Sequence, residues 1–133
     1  LAREVVTRST YENIVIDAEG LRSLYAREQI LLSEFPDEAL LPLQVIRVGN
    51  GVIGALPGEF FAETGLAIKS SANVSHYFTV SMANGNFGYV PPAAEKERGG
   101  YETWRCRYSC LEDRAEQMVK DKLLKMVNGT FVL

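Results

Sequence analysis

A proline–glycine break at Pro57-Gly58, set between an apolar run and a helix-like stretch, constrains the fold of this chain more than any other feature. Upstream, Gly51-Val52-Ile53-Gly54-Ala55-Leu56 is an apolar run of strand length. Downstream, Phe60 to Ser70 sets Phe60, Phe61, Leu66 and Ile68 among polar residues, which predicts a helix. Gly65 within it weakens that pattern or marks close packing. Glu59 then falls in the first helical turn, where the positive end of the helix dipole keeps a carboxylate ionised and fixed in direction. Such a carboxylate suits a metal ligand, and it suits a plain helix start equally well.

The rest of the chain alternates between the same two element types. Glu12 to Asp17 is apolar at its centre, a short strand or a turn. Leu21 to Leu32 carries Leu21, Leu24, Tyr25, Ile30, Leu31 and Leu32 among Arg and Glu, which predicts an amphipathic helix broken by Phe35-Pro36. Leu43 to Val48 and Gly51 to Leu56 flank Gly49-Asn50, a hairpin signal. His76 to Met82 is rich in β-branched and aromatic residues, a further strand. Pro91-Pro92 cannot continue a central strand. Gly99-Gly100 opens an extended segment, Tyr101 to Tyr108. Ser109 and Glu112 form a capping box for a last helix, with Leu111, Ala115, Met118, Val119, Leu123, Met126 and Val127 on one side and Gly129 as its stop. A short apolar tail, Thr130 to Leu133, follows. The predicted class is α+β: mixed or antiparallel strands with hairpins, packed against amphipathic helices.

Composition excludes several classes of partner. At 133 residues, 47% hydrophobic and 23% charged, the chain is long enough and apolar enough to build a core. The net charge of −3 and the absence of a basic stripe argue against nucleic acid. No apolar run reaches membrane-spanning length, so no transmembrane segment is expected. Cys106 and Cys110 have neither zinc-knuckle nor redox spacing. They read as two buried free thiols, with a disulfide or a metal pair as alternatives, and they leave the compartment open. Lys120, Lys122 and Lys125 read as a solvated helix face. Asn73-Val74-Ser75 and Asn128-Gly129-Thr130 fit the glycosylation pattern, which is common by chance.

Three glycine-bearing motifs come in order: Pro57-Gly58-Glu59, then Asn84-Gly85-Asn86-Phe87-Gly88-Tyr89, then Gly99-Gly100-Tyr101-Glu102. Glycine lets backbone approach a ligand closely, and such loops carry sites on a rigid scaffold. The trio resembles the neutral/alkaline, non-lysosomal ceramidase family and its ceramidase-like bacterial relatives. In that family a Glu follows a Pro-Gly strand end, an Asn-x-x-x-x-Tyr loop comes later, and a Tyr-Glu pair follows at a fixed interval. Here Asn84 and Tyr89 keep the loop spacing, and Tyr101 stands 12 residues beyond Tyr89 (101 − 89). The resemblance is firm from Leu43 to Glu102 and loose before Leu43 and after Trp104.

What the resemblance implies is zinc-dependent hydrolysis of an N-acyl amide such as ceramide. It assigns Glu59 and Tyr89 as metal ligands. Tyr101 becomes a catalytic residue beside the substrate amide, a donor to the developing oxyanion. Asn84 contacts substrate or fixes its own loop; Tyr101 packs or takes part in catalysis; Glu102 supports its neighbours. The family holds zinc with two further histidines that precede the Glu. This chain has one, His76, which follows Glu59 and matches no ligand position. The expectation is therefore the C-terminal portion of a ceramidase-like catalytic domain, itself part of a larger helix-flanked two-sheet unit. The remaining N-terminal part of the same precursor is the implied partner, and zinc binds only with it. The resemblance also points to a secreted or periplasmic setting. Two other readings stand beside this one. A non-catalytic ceramidase-like scaffold or binding domain predicts a closed monomer without metal. An unrelated interaction domain predicts that Glu59, Tyr89 and Tyr101 do not converge. The enzymatic reading predicts zinc bound only with the partner segment, and a large apolar surface where that segment docks.

Overall fold

The Gly49-Asn50 turn folds Gln44–Val48 (β1) back onto Gly51–Ala55 (β2), with Gly49 in the left-handed region at φ +59°. The structure, a computed structural model, describes residues 18–129. The expected strand or turn at Glu12 to Asp17 and the tail from Thr130 lie outside those residues. The first described element is a helix, Ala18–Leu32 (α1), which spans the predicted one. After β2 come a two-residue strand Glu59–Phe60 (β3), a helix Ala62–Ser71 (α2) and a strand His76–Val80 (β4). Then follow Tyr89–Val90 (β5), Ala93–Arg98 (α3), a single 3₁₀ turn Tyr101–Thr103, and Ala115–Gly129 (α4).

The class is α+β, as the sequence predicts. β1 pairs antiparallel with β2, and β2 pairs parallel with β4, giving one mixed sheet in the order β1-β2-β4. β3 and β5 form a separate parallel pair. Strand side chains alternate between faces. On one face Val52 and Tyr77 meet Ile68 of α2 and Val119, Leu123 and Val127 of α4, and Leu56 completes the core. Gly54 lies under this contact: a Cβ there would sit 3.1 Å from Leu123. Gly65 marks close packing, since its missing Cβ would stand 3.3 Å from the Thr79 hydroxyl. The other face carries Ile46, Ile53 and Phe78 in one cross-strand row, flanked by Val48 and Val80. Phe78 is 63% exposed and Val48 65%.

Four expectations are corrected. The helix after the Pro-Gly break begins at Ala62, with Phe61 at its N-cap, so Glu59 is a strand residue and the dipole argument does not apply to it. Its amide is taken by strand pairing, donating to the Gly88 carbonyl at 2.8 Å. The extended segment Tyr101 to Tyr108 is instead a 3₁₀ turn followed by irregular chain. Ser109 does not cap the last helix. It is buried, its hydroxyl accepts the Tyr89 amide at 3.0 Å, and α4 starts six residues later. Met118 is 57% exposed, because the buried stripe of α4 runs through Ala115, Val119, Leu123 and Val127 at intervals of four. The sequence reading does not anticipate α3, though Pro92 ahead of Ala93-Ala94-Glu95-Lys96 and Gly99 behind it are helix boundary signals.

Candidate functional site

Backbone from two separate loops zips together to make the site. The Leu56 carbonyl accepts from Ala83, that of Pro57 from Phe87, and that of Gly58 from Met82, at 2.9 to 3.1 Å. Gly58 permits this approach: a Cβ there would lie 3.0 Å from the Gly88 oxygen. The zipper ends in the β3–β5 pair, where Glu59 and Tyr89 are direct cross-strand partners. The two residues proposed from sequence as ligands thus stand side by side.

Tyr101 joins them from the 3₁₀ turn. Its ring meets the Tyr89 ring edge-on, with centroids 5.6 Å apart. Tyr108 also joins the cluster, 6.1 Å from Tyr89 between centroids. Its hydroxyl donates to Glu59 Oε1 at 2.6 Å and accepts from Asn86 Nδ2 at 3.1 Å. Asn86 Oδ1 in turn accepts from the Gly88 amide at 2.9 Å. The Tyr89 phenol is pushed up to about 12, first by its hydrogen bond with Tyr101, then by burial and by the neighbouring Glu59 carboxylate. All of these effects oppose a phenolate.

Asn84 is engaged away from this cluster. It sits at φ +65°, and its side-chain amide donates to Gln44 Oε1 at 2.9 Å, which ties its loop to β1. His76 is exposed and pairs with Gly51 at the start of β2, whereas Glu59 follows the far end of that strand. Cys106 and Cys110 are free and half-buried. Trp104 packs edge-on against Tyr25 of α1 at 4.8 Å between centroids. The sequence reading missed Tyr108 and Asn86. An Asn two residues before a glycine is a loop-fixing signal, but nothing local marks Tyr108.

A cation at the β3–β5 pair would meet one carboxylate and one phenol oxygen. The carboxylate is an ordinary zinc ligand and the phenol an unusual one, and zinc sites use three or four protein ligands. Among the described residues no three His, Cys, Asp or Glu side chains gather into a metal-binding group. These residues therefore fit as half a ligand set. No family model matches the chain, and no curated protein matches it.

Proposed function

We propose that this chain is the Glu/Tyr-bearing C-terminal part of a zinc-dependent amidohydrolase resembling neutral ceramidase, acting on an N-acyl amide such as ceramide. The observation that carries the reading is the convergence of Glu59, Tyr89 and Tyr101, which lie in three separate motifs. Motifs matched by accident have no reason to meet. In this reading Glu59 and Tyr89 hold the metal, and two histidines come from the remaining part of the precursor. Zinc, when bound, would polarise the acyl carbonyl and lower the pKa of a water. Tyr101 presents its hydroxyl beside Tyr89, a suitable place to donate to the oxyanion. The proton on Tyr89 has to leave for phenolate ligation, so metal binding strengthens with rising pH.

Intact mass and zinc content of natively purified protein test this reading. A second fragment of the precursor should accompany the chain, with about one zinc per complex. That complex should release free acid and amine from an N-acyl sphingoid base, and Glu59→Gln or Tyr89→Phe should abolish the release. A chain that purifies alone, without zinc and without hydrolysis, would remove the proposal.

A further inference from the structure

We infer that Tyr108 is a positioning residue for Glu59, with Asn86 orienting its hydroxyl. The inference deepens the zinc reading and rests on it for its purpose, though not for its geometry. A carboxylate on a two-residue strand has several rotamers open to it. The Tyr108 hydroxyl, 49 residues further along the chain, takes Oε1 at 2.6 Å, in the short range of charge-assisted bonds. Among the described residues no donor holds Oε2, so one carboxylate oxygen is fixed and the other is left for a ligand. Asn86 accepts the Gly88 amide through one side-chain atom and donates to Tyr108 through the other. The donation into the Tyr108 oxygen aims that hydroxyl's own proton at Glu59.

The backbone is built to hold this arrangement. Gly88 is in the left-handed region at φ +65°, and a Cβ there would fall 2.2 Å from the Tyr108 carbonyl oxygen. The adjacent Ser109 hydroxyl takes the Tyr89 amide. One two-residue stretch, Tyr108-Ser109, thus indexes both members of the pair: Glu59 through its side chain and Tyr89 through its backbone.

Tyr108→Phe tests the inference on the full chain, because it removes one exposed hydroxyl and keeps the ring. The first readout is the order of the Glu59 γ-methylene by ¹³C relaxation without metal, which should fall in the variant. The second is titration of the metal-stripped complex with the histidine-bearing segment by zinc chloride, followed by the NMR shifts of Glu59 and Tyr89. The variant should need about tenfold more zinc or higher, the usual loss when a ligand's hydrogen-bond partner is removed. The melting temperature should not change. Unchanged Glu59 order overturns the inference whatever zinc does. Lower order with unaltered zinc response also overturns it, since Tyr108 would then position nothing for a ligand. Lower order with no zinc response in either complex, parent or variant, upholds the tether and removes the metal reading instead.

Discussion

Single residues set the geometry of the Glu59–Tyr89 pair, and two of them give direct tests. Gly88→Ala places a methyl group against the Tyr108 carbonyl in a backbone conformation that L-residues rarely adopt. Backbone, not a flexible side-chain end, has to yield. The expected cost is about 2 kcal/mol or more in urea unfolding, and the hydrogen bond from Tyr108 to Glu59 should break with it. A change within about 0.5 kcal/mol, the range of neutral surface substitutions, would mean that the loops separate easily. Tyr89 supplies the pH test. Its phenol is raised from the ordinary 10.0 to about 12. Between those values the folded protein binds more protons than the unfolded chain. The contribution to stability is complete below pH 10 and is lost as pH rises towards 12. Absorbance titration should show late-ionising phenols, Tyr89 together with Tyr25 and Tyr77, which burial also raises, and Tyr101→Phe, which removes the largest cause at Tyr89, should move that one back down. A Tyr101→Phe protein with the same late transition would refute the hydrogen bond as its source.

At the scale of elements, legibility in the sequence depends on whether an element is held by its own pattern. β1, β2, β4, α1 and α2 carry their apolar periodicity locally, so the sequence locates each of them. The site is legible in part for the same reason: Glu59, Tyr89 and Tyr101 stand in motifs. Ser109 misleads because its hydroxyl serves a strand 20 residues upstream and not the helix ahead of it. Tyr108 is invisible because its partner lies across the fold. The α2–α4 seam is another such non-local device. Thr64 and Glu116 are both buried there, and the threonine hydroxyl donates to Glu116 Oε1 at 2.7 Å while Lys120 reaches the same carboxylate at 3.2 Å. Thr64→Val keeps the shape and removes the donor, leaving a buried charge with less solvation. The expected cost is about 1.5–3 kcal/mol by denaturant unfolding, the usual range for a hydrogen bond to a charged group. Thr64→Ser should recover most of it. If the two variants are equally stable, the seam is held by packing alone.

At the scale of the whole molecule, the described helices that pack on the mixed sheet, α2 and α4, cover one of its faces. Parallel strands such as β2 and β4 are ordinarily covered on both faces, yet here the Ile46–Ile53–Phe78 row is half open, with Val48 and Val80 beside it. Contiguous apolar surface of this kind drives association. The isolated chain should therefore bind a hydrophobic dye and sediment as larger species as its concentration is raised. Phe78→Lys puts a charge at the β4 end of the row, where the side chain is exposed and lies outside the core. It should lower dye binding and self-association while leaving unfolding within about 0.5 kcal/mol of the parent, as surface changes do. A parent chain that stays monomeric and dye-free at high concentration would show that this face needs no cover. On the zinc reading, the Glu59–Tyr89 pair would then have to be completed by protein docking somewhere other than this sheet.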